Sequence, residues 1–571
     1  MASRPGLLTE WPWTPLGSFK YLVLAPLVID SIYSYATMRD VDKLLILVVM
    51  VGRVVHSQMW ISFARYKTAK GTKRIVNKSI EFNQVDRERT WDDQVIFNTL
   101  VIYLAKVYVL GTNTLPFWRL DGVVQVALLH AGPVEFIYYW FHRALHHHFL
   151  YSRYHSHHHS SIVTEPITSV VHPFAEHIGY TLILGIPLVT TLLCGTVSAA
   201  SVTLYITYID FMNNLGHCNF ELIPRSFFSL FPPIKYLCYT PSFHSLHHTQ
   251  FRTNYSLFMP MYDYIYGTND KCSDSLYESL LEQEEEKPEA IHLTHLTSLD
   301  SIYHLRLGFA SFSSHPLSSR FYLVLMKPIS LIISFVLTSF SSRTFVFERN
   351  RFGDLTLHSH LLPKFSSHYK SQQQKESINK LIETAILEAE KKDVRGEELN
   401  GYGEMYVRKY PKLKIKIVDG TSLAAAVVVH SIPAGTREVL FRGQITKVAR
   451  AIVISLCQSG IKVMVLHKEE HCMLARFIGG DCKENLVLTT NDYPMNWLGR
   501  RVMSAWRVGG IVHALEGWEE HECGLEVPMV NPPRVWEAAL RNGFKPLRWV
   551  EDDLRDNILC LSFKWTDTAS L

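Results

Sequence analysis

The sequence predicts an α-helical integral membrane domain with a histidine-rich core, followed by a C-terminal soluble α/β domain of Rossmann-like type. Three observations predict it. Apolar runs of membrane-spanning length fill the N-terminal part of the chain. Histidines crowd into the stretch that follows: fifteen of the 28 lie between His130 and His248. After about residue 345 the composition changes and strand-helix-strand patterning begins.

The apolar runs come first. Tyr21–Ala36, Leu44–Phe63, Val95–Leu110 and Val123–Phe141 are broken only by isolated polar residues such as Asp30, Arg53, Lys106, His130 and Glu135. A spanning helix needs roughly 20 apolar residues. Ile178–Ile209 is longer and contains Pro187 and Gly195, so it reads as a tight helical hairpin. Arg65–Arg89 carries eight basic residues, which places this loop in the cytosol under the positive-inside rule. Phe321–Phe340, broken by Lys327 and Pro328, fits either a spanning or a surface helix, with the surface reading preferred, and Glu282–Glu286 reads as a solvated loop. The first residues have no basic segment, short apolar run and small-residue cleavage site, so no cleaved signal peptide is expected.

Overall, 47% of residues are hydrophobic and 19% charged, which suits a mixed membrane and soluble protein. A formal net charge of +4 gives no sign of a nucleic-acid binder. The nine cysteines are scattered, with no CxxC pair, which argues for reducing surroundings.

The later part reads as follows. Gln372–Lys392 is a polar helix and looks like a linker. Lys412–Val418 alternates like a strand. Glu438–Phe441, Lys447–Gln458 and Ile461–Leu466 read as one parallel β-α-β unit. Its turn, Arg442–Lys447, has no GxGxxG pattern, so the phosphate-binding signal is absent. The expected segments are thus 1–120 (membrane helices), 121–345 (histidine-box membrane domain), 346–411 (linker helix) and 412–571 (C-terminal α/β domain).

The histidines form spaced groups. They are His142 and His146; His155, His158 and His159; and His244, His247 and His248, with the lone His217 between the last two groups. On a helix, i, i+3 and i+4 share a face. Each group is therefore expected to aim its imidazoles at one point, as helix bundles do when they build metal sites. Nine imidazoles suit two metals with four or five ligands each. One tetrahedral structural zinc would need only four, and neutral imidazole also binds iron, copper and nickel. The aromatic run Phe136–Phe141 suits a dry site beside the membrane. Asn213, His172 and Glu176 are read as outer partners that orient imidazoles. His130, His147, His148, His157 and His177 are read as ordinary core or surface residues.

HxxxH followed by two HxxHH motifs on a multi-spanning chain resembles the fatty acid hydroxylase superfamily, which includes sterol desaturases and methyl oxidases. The stretches Phe141–His159, Ser160–Pro173, Gly216–Pro224, Tyr239–Gly267 and Ala505–Gly524 are similar to the plant eceriferum/glossy wax proteins, long-chain aldehyde decarbonylases. One departure stands out: between Cys482 and Arg501 the chain is shorter than that family's usual C-terminal domain. The resemblance implies a very-long-chain aldehyde substrate, an alkane one carbon shorter as product for cuticular wax, and two non-haem iron ions working with O2. It implies an external electron donor, cytochrome b5, together with paralogous wax-synthesis subunits and a homodimer. It also implies a multi-pass protein of the endoplasmic reticulum membrane with its histidine core facing the cytosol. Two other functions fit the same residues: a fatty acyl or sterol hydroxylase or desaturase with the same core, and a non-catalytic subunit of a wax-synthesis complex.

Overall fold

The structure is a computed structural model. It describes residues 6–283 except 72, 79, 81–83 and 85–87, and then 288–296, 327–340, 343–352, 355–365, 368, 371–391, 395–397, 403–433, 435–443, 445–465, 467–478, 480–488, 505–523, 532–544 and 558–563. The chain divides into two compact units at residue 286. The composition boundary near 345 lies later, because the strand Ala290–Leu296 already pairs with Leu355–Phe365 of the second unit.

The first unit is helical. Among its described residues, five helices are long and apolar enough to cross a membrane: Phe19–Met38, Val41–Thr68, Asp93–Leu110, Leu120–Leu145 and Phe174–Leu193. The run read as a hairpin folds as two helices, Phe174–Leu193 and Ala199–Gly216. Gly195 turns between them at φ 67°, a backbone conformation that costs glycine little. Leu120–Leu145 passes through a π-helical turn at His130–Val134, which accommodates Pro133 and its missing N–H.

The charges that interrupt the apolar runs are paired between helices, the arrangement a low-dielectric setting demands. Arg53 grips Asp210 with both arms, at 2.7 and 2.9 Å. Asp30 accepts from Lys43 at 2.7 Å and from Tyr103 at 2.6 Å. Lys106 reaches Asp42 at 3.2 Å. The basic stretch 65–89 is only partly a solvated loop. Arg65 is the buried end of the helix Val41–Lys70, paired with Glu88 and Glu165, and Arg74 is also buried.

Arg53→Leu is expected to lower stability by about 3–5 kcal/mol, because Asp210 is left charged and buried. Thermal unfolding of the purified chain in detergent measures this. The double variant Arg53→Leu, Asp210→Leu should recover most of the loss.

Among its described residues the second unit holds two sheets. One has five strands in the order β2-β3-β1-β4-β5. These are β1 (Ala290–Leu296), β2 (Phe345–Phe352), β3 (Leu355–Phe365), β4 (Arg395–Glu397) and β5 (Ile417–Val418). Only β2 and β3 pair antiparallel. The helix Gln372–Lys391 is not a free linker. Its Ile378, Leu381, Ile382 and Ile386 pack with Ile291, Leu293 and Leu362 of this sheet. The strand expected over 412–418 is reduced to Ile417–Val418, because its described partner β4 is three residues long.

The other sheet has four parallel strands in the order β8-β7-β6-β9: β6 (Glu438–Gly443), β7 (Lys462–Val465), β8 (Leu486–Leu488) and β9 (Ile558–Phe563). β6, the helix Lys447–Gln458 and β7 form the expected β-α-β unit, with Val439, Phe441, Ile452, Val463 and Val465 in its core. Its turn offers little to a phosphate. Thr446 already caps the helix by accepting from the Ala449 N–H at 3.2 Å. Lys447 is held by Asp419 at 2.6 Å.

The described part of the stretch 321–340, the helix Lys327–Phe340, exposes Leu331, Ile332, Phe335 and Val336. The rest of the stretch from Phe321, and residues 284–286 of the acidic run, lie outside the described residues.

Candidate metal centre

The three histidine groups and His217 come together at one end of the first unit. They sort into two neighbouring clusters that could each hold a metal ion. His142, His146, His155, His159 and His247 form one; His158, His217, His244 and His248 form the other. Within each, the ligand-capable atoms lie within 4.8 Å of one another. The clusters adjoin, with the ring centres of His159 and His248 4.5 Å apart.

The expectation that each spaced group aims at one point needs correction. Both HxxHH motifs are split. His155 and His159 enter the first cluster while His158 crosses to the second. His244 and His248 enter the second while His247 crosses to the first. In each motif the i and i+4 residues stay together and the i+3 residue is exchanged, which locks two segments far apart in sequence. The backbones also differ: Pro241–Gln250 is α-helical, whereas His155–Ser160 is a tighter 3₁₀ turn.

Hydrogen bonds fix which nitrogen faces inward. A carbonyl oxygen can only accept, so the imidazole nitrogen beside it must carry the proton. The His142 Nδ1–H donates to the Tyr255 carbonyl at 2.8 Å, and that of His247 to the Thr253 carbonyl at 2.8 Å. His217 donates from Nδ1 to the Asn213 carbonyl at 2.9 Å. His155 donates from Nδ1 to Glu176 at 3.0 Å. In the neutral imidazole, each Nε2 is then a bare lone pair. Yet Nε2 of His142 and Nε2 of His155 face each other at 3.0 Å. Two lone pairs at that distance repel, unless a cation lies between them. Metal–nitrogen bonds of about 2.0–2.1 Å at right angles bring adjacent nitrogens to roughly 3 Å. His146 and His247 at 3.2 Å, and His244 and His217 at 3.1 Å, repeat the spacing. The donor set therefore fits two metal ions.

Burial keeps these groups in ligand form. It holds the imidazoles of His158, His159, His244, His247 and His248 well below the ordinary histidine range. It lowers His217 to about 3. A metal needs the neutral imidazole.

The outer partners follow. Glu176 is buried, and one of its oxygens accepts from His155, from His172 at 3.2 Å and from Tyr180 at 2.7 Å. His155, His172 and Glu176 also lie close enough to one another to form a third ligand group. But His172 has Nδ1 3.2 Å from Glu176 and Nε2 3.1 Å from the Ser169 carbonyl, so each of its nitrogens already faces a protein oxygen. His172 instead stacks on His158 with ring centres 4.2 Å apart. Asn213 acts differently from the expectation: its backbone carbonyl, not its amide, orients His217. None of His130, His147, His148, His157 or His177 belongs to the five-histidine or the four-histidine cluster. His130 is buried beside Glu135 and Tyr205. Of the aromatic run, Tyr139 is buried and Tyr138 packs tilted against His142 with ring centres 5.3 Å apart, whereas Phe136 and Trp140 are exposed. The carbonyls of Thr253 and Tyr255 escaped the sequence reading, because main-chain acceptors leave no mark in residue type.

Glu176→Gln should weaken metal binding at the five-histidine cluster by about 10–100-fold, as loss of an orienting carboxylate does. Competition dialysis against a calibrated chelator measures it.

Comparison with known proteins agrees with this geometry. The family described as fatty acid hydroxylase matches residues 127–268, which include all nine histidines. The family described as CER1-like, C-terminal domain, matches in two pieces, 439–498 and 493–546. The two pieces overlap over residues 493–498. "Protein CER1-like 2" of Arabidopsis thaliana is 74% identical, covering 96% of this chain and 99% of its own. "Very-long-chain aldehyde decarbonylase CER1" of the same plant is 49% identical, covering 96% and 99%. "Very-long-chain aldehyde decarbonylase GL1-5" of Oryza sativa subsp. indica is also 49% identical, covering 96% and 100%. These alignments run over 606 to 621 residues, longer than the 571 of this chain, so the relatives carry residues that it lacks. The chain belongs to the CER1/GL1 family, whose members join a fatty acid hydroxylase domain to a CER1-like C-terminal domain.

Proposed function

We propose that this chain is a very-long-chain fatty aldehyde decarbonylase that makes alkanes one carbon shorter. In this reading His142, His146, His155, His159 and His247 hold one iron ion, and His158, His217, His244 and His248 hold the other. The observation that carries the reading is the convergence of bare imidazole lone pairs at about 3 Å in two adjoining clusters. Iron bound there would supply redox capacity toward O2 and Lewis acidity toward an aldehyde carbonyl.

The chain's own residues do the rest. Glu176 and the carbonyls of Asn213, Thr253 and Tyr255 fix the tautomers, so that every Nε2 they control points inward. Burial of the clusters excludes bulk water, which protects a reactive site from side reactions. The apolar helices sheathe the alkyl tail while the polar head reaches the histidines.

The wider reading places the protein in the endoplasmic reticulum membrane, with the histidine core toward the cytosol. A cytochrome b5 supplies electrons, and paralogous subunits or a second copy of the chain assemble with it. The C-terminal domain is Rossmann-like without a nucleotide, in keeping with its capped helix and sequestered Lys447.

The test supplies a very-long-chain aldehyde, O2 and a reducing system to purified membranes that hold this chain. The expected product is the alkane one carbon shorter. A hydroxylated or desaturated product instead would assign the core to that chemistry.

A further inference from the structure

Residues 253–258 form a short strap behind the five-histidine cluster, and its wiring differs from that of ordinary loop structure. Two of its carbonyls point at ligand histidines: Thr253 accepts from His247 and Tyr255 from His142, both at 2.8 Å. Three of its amides are held by buried carboxylates, while that of Asn254 donates to the Thr268 carbonyl at 2.9 Å. The N–H groups of Tyr255 and Ser256 donate one each to the two oxygens of Asp263, both at 2.8 Å. The N–H of Phe258 donates to Glu135 at 3.1 Å. Asp263 is fully buried. It is itself held by the Thr268 hydroxyl at 2.7 Å, and Thr268 in turn meets the Tyr139 hydroxyl at 2.9 Å.

The strap also bends at a left-handed residue, Asn254. Asn254 sits at φ 58°, a left-handed conformation that asparagine adopts more readily than most residues. Its side chain holds the bend at both ends. The amide donates to the Phe243 carbonyl, in the helix that carries His244 to His248, at 2.8 Å. The side-chain oxygen accepts from the Asp270 N–H at 2.8 Å.

We infer that Asp263 is a positioning residue for one of the two metal sites: by clamping adjacent amides of the strap, it aims the Tyr255 and Thr253 carbonyls and so sets the orientation of His142 and His247. Glu135 supports the same strap at its far end. This inference rests on the two-metal reading above. His217 of the four-histidine cluster donates to the Asn213 carbonyl and not to a carbonyl of the strap. The effect of Asp263 is therefore selective for one site.

Asp263→Asn tests it. The amide keeps one acceptor but sets an N–H₂ against the second strap amide, donor against donor. Ferrous iron is titrated anaerobically into the metal-free full-length protein in detergent, with bound iron counted by mass spectrometry and followed by Mössbauer spectroscopy. The parent protein should take two irons; if it takes none, the two-metal reading fails and not merely the role of Asp263. In Asp263→Asn one iron should bind as in the parent, and the other about 10–100-fold more weakly. The retained iron is the internal check that the fold is intact. Two parent-like irons in the variant would overturn the inference. So would loss of both together, which would mark Asp263 as a general structural residue. Asp263→Glu, which keeps both acceptors, should recover part of the weakened site, and no recovery above Asp263→Asn would count against the clamp.

Discussion

Replacing His158 and His247 together with alanine is expected to abolish alkane formation in a host that lacks paralogous proteins. These are the two crossing residues. Each leaves its own HxxHH motif to complete the opposite cluster. The double variant therefore strips one donor from each site and cuts both links between segments 155–160 and 241–250. It also leaves the Thr253 carbonyl without the His247 donor. Reaction centres whose parts act as a unit lose most of their effect when any part is removed. A fall on the order of 10³-fold or more is expected, with an unchanged helical signal by circular dichroism. Alkane formation at a comparable rate would remove the catalytic reading and favour a non-catalytic subunit.

Replacing Arg65 with alanine is expected to cause a large loss of stability in the membrane unit. Its guanidinium donates from Nη2 to Glu165 at 2.9 Å and to Glu88 at 3.1 Å, and from Nε to Glu165 at 3.2 Å. All three side chains are buried. Removing Arg65 leaves two carboxylates without their shared cation, and breaking a buried pair costs about 3–5 kcal/mol. The consequence reaches the metal centre. Glu165 opens the turn Pro166–Val170, whose capping box it forms with Thr168, just after the segment that carries His155 to His159. Thermal unfolding in detergent should show a clear drop, accompanied by loss of iron. Arg65→Lys should fall between, because an ammonium cannot reproduce the planar fork. An Arg65→Ala protein as stable as the parent would mean that the carboxylates find other compensation.

Much of this was legible in the sequence, and the remainder has physical reasons. Apolar runs report spanning helices directly, since length and composition are what a bilayer selects. The i, i+3, i+4 spacing of the histidines marked which residues converge. It could not show that the i+3 member of each HxxHH motif crosses to the other cluster, because that depends on how two distant segments face each other. Glu176 and His172 were legible as outer partners from their nearness to the motif. Asn213 was legible in place but not in role, because its contribution is a carbonyl shared by every residue type. The strap at 253–258 was hidden for the same reason. Arg65 and Arg74 looked like topological charge, since sequence does not distinguish a solvated cation from one buried against carboxylates. In the second unit, the β-α-β segment was plain from its strand-helix-strand alternation. The helix Gln372–Lys391 was not, because a polar helix hides the single face that packs on the sheet.

The central claim is that two iron ions lie between imidazoles brought from the three histidine motifs and His217. The most direct measurement is metal content per chain, by mass spectrometry on the purified full-length protein, with the purification done in the absence of chelators. Two irons per chain are expected. A protein active on aldehyde with no iron, or one holding a single tetrahedral zinc, would contradict the account.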